Sequence, residues 1–175
     1  EFSNDIYKVI EFLHVKPGKG PAFVRTKLKS VTNGKVVDNT FSAGHKIDEV
    51  KVITRKFQYL YEDDNGFHFM NNDDFSQIYL DKEMIENSQF MKAGEEVTII
   101  LKEADEVPLS AEIPPTVYLE VVEADPGVKG NTATNALKNA IVETGARVMV
   151  PLFIEPGDKI KVSTEDGSYL ERVKE

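Results

Sequence analysis

The sequence predicts an all-β protein built from three small barrel-like units. Apolar and polar residues alternate in short runs, and turn signals rich in Gly, Pro, Asn and Asp separate these runs at regular spacing. Ile113-Pro114-Pro115 forms a sharp joint, because consecutive prolines cannot lie inside a paired central strand. The net charge also changes along the chain. We therefore divide the chain into units at 1–49, 50–113 and 114–175, with net charges of +2, −8 and −3.

The first unit is predicted to be a small antiparallel barrel of strands without helices. Residues 6–15 and 22–31 have the composition of strands. Asn33-Gly34 is a two-residue hairpin signal, which predicts a third strand over 35–41. Residues 47–54 form a further extended run.

The tip between the first two strands is the most distinctive stretch of the chain. It reads Lys16-Pro17-Gly18-Lys19-Gly20. Proline fixes its own φ and glycine tolerates positive φ, so the chain can reverse here. Lys19 lies between two glycines and is expected to project into solvent. The alternative is an ordinary surface hairpin whose lysine only adds charge.

The strand after the tip is predicted to carry its cations on one face. Residues 8–35 contain seven Lys or Arg and one acid. A cluster of cations at one end of an acidic protein can bind RNA at that end. The alternative is that these cations lie on a solvated hairpin and bind no partner. Successive cations would lie about 6.6 Å apart along the strand. They are Arg25, Lys27 and Lys29, and they alternate with Val24, Thr26 and Leu28.

The middle unit begins near Val50 and is strongly acidic. Phe57, Tyr59 and Tyr61 alternate with other residues as in a half-buried strand. Its acids are best interpreted as a solvated face, because their spacing matches no calcium-binding loop. The remaining predicted elements are a return strand over 66–70, a helical turn over 71–75, a short helix over 81–87 with Asp81 as its cap and Met84 and Ile85 inward, and a strand over 97–101.

The third unit is predicted to be a Greek-key barrel of the OB type. Its first strand, residues 116–123, places Val117, Leu119 and Val121 on one face. The polar segment 130–135 is predicted to be an exposed loop. Further strands are predicted over 140–143, 146–154, 159–163 and 169–173, at the short spacing typical of small barrels.

Composition and motifs argue against most kinds of catalytic site. The chain has no cysteine, and its three histidines lie in separate segments, so neither thiolate nor clustered-histidine metal sites are supported. Nucleophile-elbow and P-loop motifs are also missing. We therefore predict no catalytic residue, no metal and no cofactor. The absence of a bilayer-spanning apolar run favours a soluble cytoplasmic protein.

The tip and several later motifs together resemble bacterial translation elongation factor P. The tip hairpin, VKPGKGPAFVRTKLK from Val15, is similar to the family's hairpin. So are the segments at 59–61, 67–72 and 125–133. The most specific match is the family's C-terminal signature, which this chain supplies as Lys138, Ala140, Gly145, Val148, Val150, Pro151, Ile154 and Gly157.

The resemblance implies three β-domains in an L shape similar to tRNA. An SH3-like, KOW-type domain would be followed by two OB domains. The eukaryotic and archaeal relative lacks the third domain, and the lysine tip disfavours the elongation-factor-P-like paralogue. Family members also carry more chain before the position of Asp5.

The resemblance further implies a factor that binds the ribosome beside peptidyl-tRNA and relieves stalling at consecutive prolines. It implies a monomer that contacts both ribosomal subunits and the P-site peptidyl-tRNA. Lys19 would touch the CCA end of that tRNA, and Lys16, Pro17, Gly18 and Gly20 would shape the tip. The other implied contacts are RNA phosphates at Arg25, Lys27 and Lys29, the exit-site codon at Gly130, Asn131, Thr132, Ala133, Thr134 and Asn135, and ribosome or tRNA at Tyr169 and Arg172. For the last two residues, barrel packing and a surface cation are nearly as well supported.

In many family members the tip residue is modified, so the resemblance allows a modified Lys19 and a lysine-modifying enzyme as a partner. Pro21 departs from members that carry a polar residue or Ala after the tip. Because proline stiffens the loop, we expect less need for a modification.

Two other classes of function remain open from the residues alone. A general RNA- or ribosome-binding β-barrel protein would use the basic hairpin without a special role for Lys19. An enzyme would use carboxylates of the acidic middle unit, with perturbed pKa values in a cleft.

Overall fold

The first sheet is an antiparallel meander in the order β1-β2-β3. The structure is a computed structural model that describes residues 2–127 and 136–173. Leu28 is the only buried apolar side chain among the described residues of 2–49, and it pairs with Val9 and Val37 on the neighbouring strands. The strands are β1 (Tyr7–Val15), β2 (Phe23–Ser30) and β3 (Val36–Ser42), close to the predicted runs.

Asp5 joins the start of the chain to the β2–β3 turn. Its carboxylate accepts hydrogen bonds from Ser30 Oγ at 2.6 Å and from Thr32 Oγ1 at 2.8 Å. Burial acts to raise the pKa of Asp5, but these hydrogen bonds outweigh it, so the pKa lies below its ordinary value. The carboxylate therefore stabilises the turn in its charged form.

Two predictions for the first unit are wrong. The β2–β3 connection is not a two-residue Asn33-Gly34 turn, because residues 31–34 form a longer loop around the Asp5 carboxylate, closed by the Gly34 N–H donated to Ser30 O at 3.1 Å. Residues 47–51 are not a strand, and the next strand begins only at Val52. Pairing explains the second error, since the next strand, β4 (Val52–Asp63), pairs with residues 96–102 only from Val52 onward.

The middle sheet has five strands in the order β6-β5-β4-β7-β8. Its longest strand, β4, lies at the centre and packs a cluster of buried aromatic and aliphatic side chains that includes Phe57, Phe69 and Ile99. Two 3₁₀ helices, Lys82–Met84 and Ser88–Phe90, connect β6 to β7. The strands are β4 (Val52–Asp63), β5 (Gly66–Asn71), β6 (Gln77–Leu80), β7 (Glu96–Lys102) and β8 (Pro108–Glu112).

The helical turn predicted over 71–75 is present, because the Phe75 N–H donates to Asn71 O at 3.0 Å. It leads into β6, a strand that we did not predict. Two other predictions for the middle unit are wrong. The helix predicted over 81–87 is only a single 3₁₀ turn, and the Asp81 side chain does not cap it. Tyr61 faces outward rather than into the core, because β4 is bulged between Tyr59 and Tyr61.

The last sheet repeats the topology of the middle sheet, in the order β11-β10-β9-β12-β13. Its first strand is again central, and Val117, Leu119 and Val121 are buried as predicted. Each such side chain stabilises the fold by about 1.5–3 kcal/mol relative to an exposed position. The strands are β9 (Thr116–Ala124), β10 (Leu137–Val142), β11 (Arg147–Pro151), β12 (Lys159–Ser163) and β13 (Tyr169–Arg172).

A segment of the middle unit packs against the last sheet. Phe90 is buried within the core cluster of the last unit, facing Gly167, where an added Cβ would lie 2.8 Å from the Phe90 ring. Lys92 Nζ also lies 2.8 Å from Glu143 Oε1. Because the Phe90 side chain lies inside the core of the last unit, the middle and last units are joined by hydrophobic packing.

The prediction of an all-β protein is confirmed. Two features of the fold bear on function. The first sheet projects the Lys19 tip, and the two five-stranded sheets hold most of the buried apolar side chains of the described residues. None of the helices in the described ranges is long and apolar enough to span a bilayer.

Candidate functional site

The tip is an exposed loop held at its base by backbone pairing. Val15 and Phe23 are the last paired residues of β1 and β2, and the Ala43 N–H donates to Ala22 O at 3.0 Å. Between them, Gly20 has φ +120°, a conformation that residues with a Cβ rarely adopt. Gly18 does not need positive φ, so only one of the two glycines is required by the backbone. The loop is thus shaped at Gly20 and anchored at its ends.

Lys19 is exposed and makes no hydrogen bond or ion pair with any described residue. Pro17 is half-buried, and its ring lies 3.8 Å from the position that a Cβ on Gly20 would occupy. An added Cβ on Gly18 would meet no atom within 4 Å. The Lys19 side chain therefore projects into solvent, as predicted from the sequence.

The three cations of β2 share one face, opposite Leu28, but their surroundings differ. The Arg25 guanidinium lies 5.5 Å from the centre of the Phe23 ring, at cation–π distance. Lys27 Nζ lies 3.2 Å from Glu11 Oε2 on the neighbouring strand. Lys29 forms an ion pair with Glu86, which belongs to the middle unit. Among the described residues, Arg25 is the one of the three without an acidic partner, so it is the cation most available to a phosphate.

The two C-terminal residues of the predicted site, Tyr169 and Arg172, also differ in their surroundings. Tyr169 packs against the core of the last unit, which supports its structural interpretation. Arg172 lies over the Phe153 ring at 5.5 Å and 3.9 Å from an Asp158 oxygen, with its side chain partly exposed. The predicted codon-contacting loop over 130–135 lies outside the described residues.

Sequence reasoning missed the acidic partners of this site. Glu86 is one of the acids that the sequence assigns to a solvated face, and Glu11 is the one acid of the basic stretch. The sequence gives no sign of either pair, because Lys29 and Glu86 are 57 positions apart and Glu11 meets Lys27 only across two paired strands. In the described part of the chain, no group of three or more His, Cys, Asp or Glu side chains is placed to hold a metal ion.

Models of three protein domains match the chain in succession. The elongation factor P KOW-like domain matches residues 1–47, the elongation factor P OB domain matches residues 52–110, and the elongation factor P C-terminal domain matches residues 117–172. These matches confirm the predicted fold class of a KOW-like domain followed by OB domains. The common strand order of the last two sheets agrees with it.

Curated relatives match nearly the whole chain. Elongation factor P of Flavobacterium psychrophilum is 62% identical over 174 residues, covering 99% of this chain and 93% of the relative. Elongation factor P of Flavobacterium johnsoniae is 62% identical over 175 residues, covering 100% of the chain and 93% of the relative. Elongation factor P 1 of Porphyromonas gingivalis is 51% identical with the same coverage.

The chain is also similar to several solved structures. The eukaryotic translation initiation factor 5A from Methanococcus jannaschii is 19% identical, with a TM-score of 0.45, and the match covers 62% of this chain and 83% of that one.

Proposed function

The chain belongs to the elongation factor P family of translation factors, and from this premise we propose that it binds the ribosome beside the P-site peptidyl-tRNA and stimulates peptide-bond formation at consecutive prolines. The observation that carries the proposal is Lys19 at the end of an anchored hairpin, where it pairs with none of the residues that the structure describes. In this proposal the protein works in the cytoplasm as a monomer. It uses no nucleophile, base or metal of its own.

The chemistry of proline explains what such a tip can contribute. Proline is a secondary amine with a rigid ring, and peptide-bond formation requires the reacting atoms to reach a near-attack geometry. A cation that contacts the CCA end of the P-site tRNA can hold that end in place. The tip then lowers the barrier by positioning the tRNA, without any transfer of a proton by the protein.

The rest of the hairpin supplies contacts that bind the factor to RNA and orient it. Arg25 is the strongest candidate for a phosphate contact, because Lys27 and Lys29 already pair with carboxylates. Contacts to phosphate fix orientation but carry no sequence information. The proposed loop over 130–135 would approach the exit-site codon, and Arg172 would contact ribosome or tRNA, so the factor would reach both subunits.

We further propose that an unmodified Lys19 supports substantial activity. Pro17 and Pro21 lie on either side of Gly18-Lys19-Gly20, and each fixes its own φ. A loop with fewer accessible conformations loses less entropy when it enters the ribosome. A lysine-modifying enzyme would then increase activity rather than switch it on.

The decisive experiment measures full-length product from a reporter with consecutive prolines in a purified bacterial translation system. Reactions contain no factor, the protein or its Lys19→Ala variant, and a proline-free reporter runs beside them. Intact mass establishes that the added protein is unmodified. The matched control is Lys35→Ala, because Lys35 is exposed in the same basic hairpin region, at the opposite end of β2 from the tip.

We expect selective rescue of the proline reporter by the protein and by Lys35→Ala, and loss of rescue in Lys19→Ala. Equal losses in both variants would favour a general RNA-binding protein, in which charge matters and position does not. If neither the unmodified protein nor protein purified from its native cells rescued the reporter, the proposal would be wrong.

A further inference from the structure

Three aromatic side chains form a continuous row on the outer face of the middle sheet, far along the chain from the tip. This aromatic row consists of Tyr61 on β4, His68 on β5 and Tyr79 on β6, which are direct cross-strand partners. The Tyr61 and His68 rings are stacked, with centroids 4.5 Å apart and planes 17° apart. The His68 and Tyr79 centroids are 6.0 Å apart, with planes at 36°.

The bulge in β4 creates the row. Tyr59 pairs with Phe69 and points into the core, whereas Tyr61 pairs with His68, so Leu60 is the extra residue. Without the bulge, the strand alternation would turn Tyr61 to the same inner face as Tyr59. A bulge of this kind turns a side chain to the other face of the sheet, and the hydrogen bonding between the two strands is disrupted at that point. Here the result is a tyrosine placed in solvent beside a second aromatic ring.

The two tyrosines at the ends of the row leave much of their surface open. Tyr61 is 50% exposed and Tyr79 is 60% exposed. His68 lies between them and is largely covered, and its Nε2 is 2.9 Å from Asp63 Oδ1. The contact with His68 is the main reason that the pKa of Asp63 lies below its ordinary value. The row therefore offers two aromatic faces with a charged carboxylate at its edge.

The net charge of the middle unit, which carries the row, favours a cationic partner. Residues 50–113 carry 14 acids and six cations. Five of those cations already form ion pairs, namely Arg55, Lys56, Lys82, Lys92 and Lys102. The remaining acids give this unit a negative field that attracts cationic segments and repels phosphate.

We propose that the aromatic row is a docking surface for an arginine-bearing basic segment of a partner protein. The guanidinium group is planar and weakly hydrated, so it stacks on tyrosine faces better than the compact ammonium of lysine does. A nucleobase could also stack on these rings, but its phosphates would face the acidic unit. The surface is separate from the tip and does not depend on the reaction proposed for Lys19.

The test uses the full chain and a synthetic peptide in which arginine alternates with serine. The same peptide with lysine in place of arginine, and a short single-stranded RNA, are the comparison ligands. Titrations at about 0.15 M salt screen long-range attraction between exposed charges. Backbone amide shifts in β5 and β6 report the place of binding, and their concentration dependence gives the affinity.

We expect the arginine peptide to bind about two- to fivefold tighter than the lysine peptide for each stacked side chain. Tyr61→Leu and Tyr79→Leu keep apolar bulk but remove the ring, so each should weaken binding of the arginine peptide by a similar factor. Tyr79→Phe keeps the ring and should bind normally. The control is Tyr118→Leu, because Tyr118 is about as exposed on the last sheet and already has Lys161 Nζ 5.8 Å from its ring centre.

Three results would overturn the proposal. The first is no detectable binding of the arginine peptide at the row. The second is equal binding of the two peptides with no effect of the leucine substitutions. This result would mean that the negative charge of the unit attracts the peptides and that the aromatic rings do not contribute. The third is RNA that shifts the row's amides while the arginine peptide does not, which would make the row a base-stacking surface.

Discussion

The first sheet and the last sheet are both antiparallel, but they bury their side chains very differently. Among the described residues of the first sheet, Leu28 is the only buried apolar side chain, and Phe12 on β1 is 72% exposed. In the last sheet, alternate residues of the central strand β9 are completely buried, and Phe90 from the middle unit joins the same cluster.

This contrast indicates that the two units have different roles. The last unit has a core that can determine its own stability, because close-packed apolar side chains supply most of the folding free energy. The first sheet is held by strand pairing and by polar contacts around Asp5, and it carries the exposed Lys19 tip. Substitutions should therefore lower the free energy of unfolding strongly in the last unit and weakly in the first. Activity in translation should instead be more sensitive to substitutions in the first unit, at the Lys19 tip.

The largest stability effect is expected from Leu119→Ala in the last unit. Leu119 is completely buried, so its truncation should lower the free energy of unfolding by about 2–5 kcal/mol through lost burial and a cavity. Denaturant unfolding measures the change. The matched control is Val122→Ala on the same strand, which is 48% exposed and should change stability by no more than about 0.5 kcal/mol. Equal effects at the two positions would refute the assignment of the core.

A smaller effect is expected from Asp5→Asn in the first sheet. Because the folded-state pKa of Asp5 is lowered, its stabilising contribution is present above the unfolded-state pKa and is lost as pH falls through the folded-state pKa. The variant should be less stable by about 1 kcal/mol at neutral pH. Unfolding curves at several pH values measure the difference, which should shrink toward zero in strong acid. A difference that stayed constant with pH would show that charge plays no part.

The smallest effect is expected from the ion pair between Lys29 and Glu86. Both side chains are partly exposed, so a double-mutant cycle with Lys29→Ala and Glu86→Ala should give a coupling free energy of about 0.2–1 kcal/mol. High salt should reduce it. A coupling of several kcal/mol would show that this contact is a principal link between the first and middle units, and the contrast drawn above would weaken.

Much of the candidate site could be predicted from the sequence because its signals are local. The KPGKG segment determines a reversal and places Lys19 at its end, and the alternation after it assigns Arg25 to the face opposite Leu28. The shared face of Val117, Leu119 and Val121 is predictable for the same reason, since strand periodicity depends only on neighbouring residues, and the structure shows this face to be buried.

Other features could not be predicted because they depend on partners distant in the chain. Tyr61 follows the alternation of β4, yet the bulge opposite β5 turns it outward. Strand β6 is only four residues long and directly follows a turn, so pairing with β5, rather than a longer alternating run, defines it. Lys29 resembles Lys27 and Arg25 in sequence, and only the packing of the units gives it Glu86 as a partner.

The sequence by itself determined the class of fold, the position of the exposed lysine and the alternating faces of the main strands, because turn chemistry and strand periodicity act within a few residues. The tertiary structure alone decided which cations pair with carboxylates, which aromatic rings meet on the middle sheet and which unit contains the Phe90 side chain. Each of these depends on cross-strand register or on contacts between units, and such contacts are fixed only when distant segments bury their surfaces together.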